Sequence, residues 1–325
     1  MKNIDLGKYK IHTDLIIENN NIKNEVKNID NVIVTTSKNN GNYVTISFDD
    51  ITNFESREKV GKILEDEIKN ILLLNNIHED DECLIIGLGN IKSTPDSLGP
   101  KTVNDILVTK HLFKFSDVKE GIRAVSSFVP GVMANTGFET SFVVKSIIES
   151  VKPSFVIVID SLASLSIDRI NKTIQITDTG IHPGSGIGNN RLEISEKTMG
   201  IPVIAIGVPT VVSATTIVND TLVYLSKHIS YIKDNESVNK LSFSHKNYIN
   251  KIKDKNLSKE ELGKLFGLFG NLNSDEKISL INEVLSDINL DLIVTPSEID
   301  FVIDKLSNMI ASSINNALHR QISHY

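Results

Sequence analysis

No tryptophan occurs in these 325 residues, and Cys83 is the only cysteine. A single cysteine excludes an intrachain disulfide and suits a reducing compartment. It lies in an apolar run, where a thiol serves as a small core residue rather than a nucleophile. Positive charge is also short: 34 Lys and Arg face 41 Asp and Glu, a formal net charge of −7. That balance argues against a general nucleic-acid binder, which carries a basic face. No run of 18 apolar residues is present, and the opening MKNIDLGKYK lacks an apolar h-region. The expectation is a cytoplasmic protein without a membrane partner. Neither the G-x-S-x-G elbow nor the H-E-x-x-H zinc pattern occurs, so neither supplies a reading of the chemistry. What remains is a normal globular balance, 40% hydrophobic and 23% charged, long enough for one large domain or two.

The chain is organised around residues 83–100, CLIIGLGNIKSTPDSLGP. The run 83–86 reads as a strand buried on both faces. Gly87 and Gly89 break it into a loop that presents Asp96, and Gly99-Pro100 opens a helix. Before it, residues 1–30 read as a loosely held polar arm, 32–48 as a hairpin turning at 38–42, and 55–74 as a helix. After it, helix and strand alternate: a helix over 103–113, a strand over 122–128, a helix over 138–150 and a buried strand over 154–160. Further strands are expected at 174–177 and 202–207, followed by a helix over 214–225. The pattern predicts an α/β fold, a mainly parallel twisted sheet flanked by helices. Beyond residue 229 the character changes to three helical patterns, 258–269 with Ser258 as cap and Glu261 three on, 274–286, and 297–318. The expected division is an arm of 1–14, a main domain of 15–228 and a C-terminal helical appendage of 229–325 packed on that domain.

Two carboxylates stand out. Asp96 sits in the glycine loop after one strand, and Asp160 ends another in VIVIDSLAS. In a parallel sheet both reach the carboxyl edge, where two acids can split their pKa values and activate water on an amide. The alternative for each is a helix cap. Backbone N–H groups of the turn Gly87, Gly89 and Asn90, or of the glycine-rich loop containing Gly184 and Gly186, are candidate oxyanion donors. That loop lacks the Lys-Ser/Thr of a phosphate cradle and reads as a binding or flap loop. No cofactor or metal is called for; His182 becomes a ligand with Asp96 and Asp160 only if a metal is present.

Seven motifs carry a resemblance: GLGN-x₃-TPDSLGP, VTKHL, SSFVPGVMANTGFET, VIVIDSLAS, TDTGIHPGSGIGNNR, GIPVIAIGVPTVV and LIVTPSEID followed by NNALH. Together they resemble the spore germination protease of endospore-forming bacteria, over about residues 9–319, and more distantly the hydrogenase maturation peptidases. The resemblance implies an endopeptidase, atypical and of aspartic type, that degrades small acid-soluble DNA-coating spore proteins in the spore core. It implies a zymogen, a homotetramer, and removal of the chain's own N-terminal segment. The catalytic pair maps onto Asp96 and Asp160, and the self-cleaved bond onto Asp14–Leu15. Ile16 replaces the small residue usual in that segment, and Lys110 stands where the family commonly has Arg, a change that keeps charge but loses bidentate geometry. Two other readings are a metal-dependent maturation peptidase and a non-catalytic binder of spore proteins.

Overall fold

The computed structural model describes residues 14–19, 22–114, 118, 120–184, 192–234, 252, 254–287 and 292–320. They fall into two compact units. One holds Val212–Val294; the other comprises the described residues of His12–Val211 and Thr295–Tyr325.

The larger unit is built on a sheet. Its strands are β1 (Asn24–Ile29), β2 (Val32–Lys38), β3 (Asn42–Ser47), β4 (Cys83–Gly87), β5 (Val125–Phe128), β6 (Phe155–Ser164), β7 (Thr173–Thr177) and β8 (Val203–Ser213). They are arranged in the order β1-β2-β3-β7-β8-β6-β4-β5. The expected mainly parallel sheet needs correction: β4 pairs parallel with β5 and β6, whereas β1 with β2, β2 with β3, β3 with β7 and β7 with β8 are antiparallel. The reason is local. Parallel partners require a crossover: the chain runs from β4 to β5 through a stretch holding the helix Leu98–Asn104 and reaches β6 through the helix Thr140–Val151, whereas the short turns joining β1 to β2 and β2 to β3 force antiparallel pairing there. Asp30 and Asn31 both have positive φ, 51° and 70°, the two-residue turn whose twist matches a hairpin. β1 itself, read as part of a loose arm, is a strand with all six residues exposed.

Side chains alternate across the sheet, so each face has its own core. One face buries Cys83, Ile85, Phe155, Ile157 and Ile159 beneath two helices, Phe54–Leu74 and Ile299–Leu318. The other buries Leu84, Ile86, Leu88, Val156 and Val158 beneath Val144 and Ile148 of the Thr140–Val151 helix. Each of these fully buried aliphatic side chains contributes about 1.5–3 kcal/mol. Cys83 is 1% exposed, and burial pushes its thiol up to about 12, as a core residue requires. The last helix therefore lies in the sheet unit's core through Leu306, Ile310 and Ile314, not in an appendage that begins near residue 229.

The helix expected over 103–113 is also displaced. It runs Leu98–Asn104, because Gly99 and Pro100 fit a first turn, where proline's missing N–H is not needed. Beyond it, Thr109 and Lys110 donate their N–H groups to Val125 O (3.0 and 2.9 Å), which holds this stretch against β5. Lys110 pairs with Glu82 at 2.6 Å.

The smaller unit contains the helix Ala214–Asp234, nine residues longer than expected, then Lys259–Phe266, Leu268–Asn271 and Ser274–Asp287. β9 (Ile293–Val294) pairs with Val212 and Ser213, the end of β8. The cap at Ser258 forms as its spacing predicts: Glu261 N donates to Ser258 Oγ (3.3 Å) and Ser258 N donates to Glu261 Oε2 (2.8 Å). Hydrogen bonds from Lys233 and Ser258 hold the Glu261 carboxyl down to about 2. The helix stops at Phe266 because Gly267 takes φ +60°. No helix of the described residues is long and apolar enough to cross a membrane.

Candidate active site

Asp96 closes a 3-10 turn, Thr94–Asp96, in the loop after β4. The loop is folded back on itself by Asn90 N, which donates to Asp96 O at 2.8 Å. Gly89, at φ +111°, makes this possible: a Cβ there would lie 2.1 Å from Asp96 O. The Asn90 N–H, a candidate oxyanion donor, is thus committed to shaping the acid-bearing loop. Two threonines brace the turn from outside. Thr210 Oγ1 donates to Pro95 O (2.7 Å), and Thr295 Oγ1 donates to Thr210 O (2.8 Å). This gives the GVPTVV and VTPSEID motifs a physical role, that of fixing where Asp96 sits.

Asp160 lies on β6 and is 5% exposed; its Oδ1 accepts from Ser161 N at 2.8 Å. It has the parity of Val156 and Val158, so it belongs to the face covered by the Thr140–Val151 helix. The two acid-bearing segments meet through backbone. Gly87 pairs with Ile159 in parallel register, and Leu88 N donates to Ile159 O at 2.8 Å. Gly99, three residues after Asp96, is pressed between them: a Cβ there would lie 2.3 Å from Leu88 O and 2.5 Å from Ile159 O. The residue before Asp160 and the helix start after Asp96 are therefore in direct contact, where β4 ends beside the middle of β6.

The described part of the arm, Asp14–Asn19, lies beyond Asp160 along the same strand. Asp14 N donates to Ala163 O (3.3 Å), and Ala163 N donates to Asp14 Oδ2 (3.0 Å). Gln175, in the centre of β7, grips the backbone on both sides of Leu15: its Nε2 donates to Asp14 O (2.8 Å), and its Oε1 accepts from Ile16 N (2.7 Å). Leu15 is 2% exposed. Gln175 was visible in the sequence only as a polar residue inside an apolar strand, TIQIT, a signal that points to a buried hydrogen-bonding task.

Beside the arm is a cavity of about 1030 Å³, lined among others by Asp14, Leu15, Gln175, His182, Glu193 and Lys197. Asp96 and Asp160 are not among its lining residues, so this cavity surrounds the arm rather than the two acids. His182 faces Glu193, Nε2 to Oε2 3.6 Å. Among the described residues no group of three His, Cys, Asp or Glu side chains is placed to hold a metal ion; His182 does not form such a set with Asp96 and Asp160. Gly184 has φ +70°, and Gly186 lies outside the described residues.

Comparison with known proteins gives first the class: a peptidase. The family model described as germination protease matches residues 7–325. The germination protease of Bacillus subtilis is 46% identical, covering 89% of this chain and 80% of that protein. That of Bacillus pumilus is 42% identical over 98% and 96%, and that of a Geobacillus species 40% over 99% and 97%. The chain belongs to the germination protease family. A solved structure, the NiFe hydrogenase maturation protease HycI from Thermococcus kodakarensis, is 16% identical and covers 42% of this chain and 80% of its own, at a TM-score of 0.27, too low to carry a fold argument. Membership across nearly the whole chain does not favour a maturation peptidase or a non-catalytic binder.

Proposed function

We propose that this chain is the zymogen of an atypical aspartic endopeptidase that cuts its own Asp14–Leu15 bond and then degrades small acid-soluble, DNA-coating spore proteins in the spore core, working as a homotetramer. Asp96 and Asp160 are the catalytic pair. One carboxylate takes a proton from the attacking water, and the other donates a proton to the leaving amide nitrogen. The observation that carries this reading is the Gly99 contact, which ties the Asp96 loop to the backbone just before Asp160.

The position of the arm supports the zymogen. Asp14 is held at Ala163, three residues past Asp160, which is roughly 10 Å along a strand at ~3.3 Å per residue. The bond to be cut is thus parked beside the acids, and self-cleavage requires the arm to shift along β6. Asp96→Asn and Asp160→Asn are each expected to lower self-processing and spore-protein digestion by about three orders of magnitude or more with the fold intact. Mass spectrometry of the incubated wild type is expected to show a new N-terminus at Leu15. Undiminished processing in both variants would overturn the assignment.

A further inference from the structure

The turn after β4 has spent its donors on its own shape. Leu88 N donates to Ile159 O and Asn90 N to Asp96 O, both at 2.8 Å. Uncommitted donors lie elsewhere, at the start of the helix Thr140–Val151. Glu139 at its N-cap makes no side-chain capping hydrogen bond. Thr140 and Ser141, its first two residues, are each 4% exposed. Their hydroxyl oxygens are buried and, among the described residues, have no hydrogen-bond partner. Glu139 Oε1 is a third such atom, and the helix N-terminus accommodates its charge. Buried polar groups are nearly always paired, because leaving one unpaired costs stability. Three in consecutive residues point to a ligand.

The chain brings this helix end to Asp160. Only residues 152–154 join Val151 to Phe155, the first residue of β6, so helix and strand leave the same edge of the sheet and run side by side. Thr140 lies eleven residues back from Val151, about 16 Å at ~1.5 Å per residue. Asp160 lies five residues on from Phe155, about 16 Å at ~3.3 Å per residue. The two are therefore level. They also share a face. Thr140, Ser141, Val144 and Ile148 form the buried stripe of the helix. Val144 and Ile148 pack with Val156 and Val158 of β6, and Asp160 continues that strand parity. The two unpaired hydroxyls thus face the side of the strand on which Asp160 lies, together with first-turn N–H groups that no helix carbonyl can take.

Resting on the catalytic pair proposed above, we infer that Thr140 and Ser141, with the first-turn N–H groups of their helix, form the oxyanion hole of the peptidase. As water adds to the scissile carbonyl, the C=O bond opens to a tetrahedral centre and its oxygen takes up negative charge. The two hydroxyls donate to that oxygen, and the helix N-terminus stabilises its charge. When the C–N bond breaks the carbonyl re-forms, and neither hydroxyl has lost its proton. Donors unpaired in the free enzyme are paired in the transition state, which is where binding accelerates a reaction. Thr140 and Ser141 are thus catalytic residues that touch the reacting oxygen, while Asp96 and Asp160 move the protons.

The test sets activity against stability. Ser141→Ala and Thr140→Val each delete one unpaired hydroxyl, so the unfolding midpoint should hold or rise. The first-order rate of self-processing should nevertheless fall about 100-fold in each. In spore-protein digestion kcat should carry the loss, with KM changed less than about twofold. Thr140→Ser and Ser141→Thr keep a hydroxyl and should stay within about tenfold of the wild-type rate. A phosphinate peptide spanning the Asp14–Leu15 sequence carries an anionic tetrahedral centre like that of the intermediate. It should bind Ser141→Ala about 100-fold more weakly than wild type. Wild-type rates in both deletions, or a loss of rate matched by a fallen unfolding midpoint, would overturn the oxyanion hole. Normal processing in Asp96→Asn and Asp160→Asn with slow processing in Ser141→Ala would instead remove the acid pair and leave this site standing, so the two failures are distinguishable.

Discussion

The parallel strands β6-β4-β5 and the antiparallel meander β1-β2-β3 use the same pairing chemistry to opposite ends. β4 is buried at every position and β6 at nine of its ten, whereas β1 is exposed throughout and β2 is buried at four of its seven. Covered on both faces, the parallel strands are held firmly; Asp96 is set in the loop after β4, and Asp160 is buried within β6, beside the point where β4 ends. In the meander only the outer strand β1 is open to solvent throughout; β2 and β3 bury Thr35, Ser37 and Thr45 as well as Val34, Val44 and Ile46. The meander flanks β7 on the side away from β8, and the Gln175 of β7 holds the arm. The two halves differ in how completely their strands are covered.

That contrast is testable by substitution. Gly99→Ala should have the largest effect, because its Cβ would meet two backbone carbonyls below 3 Å that cannot rotate away. A loss of about 3 kcal/mol or more by denaturant unfolding is expected, together with loss of processing; a loss under 1 kcal/mol would mean the acid segments are not clamped as described. Gln175→Leu strips both hydrogen bonds from the backbone around Leu15 and should loosen the arm by about 1–3 kcal/mol, seen as faster proteolysis near residue 15 with little change in overall unfolding.

A pH effect is expected from His319 at the amino-end side of β5. It is fully buried and accepts from Arg123 N at 3.2 Å through Nδ1, and burial lowers its pKa below the ordinary value. The unfolded chain therefore binds the proton more readily than the folded one. The neutral form's stability is present above about pH 6.5 and is lost as pH falls below it. His319→Asn should flatten the decline in unfolding midpoint between pH 7.5 and 5.5; an unchanged slope would assign the decline to other groups. The smallest effect belongs to the meander: Val26→Thr, at a position 63% exposed in β1, should change stability by less than about 0.5 kcal/mol. A larger loss would mean that this face is covered.

Much of the fold was legible because apolar runs report burial directly. β4, β6 and β8 stand out as CLIIG, FVIVID and VIAIG, and the acids were legible because each follows such a run. β1 was not, since NEVKNI has no buried side and is held to β2 through backbone pairing. The helix at Leu98 was misplaced because Ile106, Leu107 and Leu112 mimic helical spacing, whereas Thr109 and Lys110 are taken by Val125. The seat of Glu18 was invisible for a different reason. Its carboxylate accepts from Ser164 Oγ and from a peptide N–H, that of Leu165, and these partners lie 146 and 147 residues away in the chain.

Those separations set an order of events during synthesis. The arm emerges first, yet its grip at Asp14 O comes from Gln175, 161 residues later. At about 5–20 residues per second, the ribosome makes the arm wait on the order of 10 to 30 s before its seat exists. Asp96 and Asp160 are both made before Gln175, so the seat is completed only after the whole acid pair has emerged. A chain stalled short of residue 175 would carry both acids and an unseated arm, whereas the threonines that brace the Asp96 turn, Thr210 and Thr295, are translated later still.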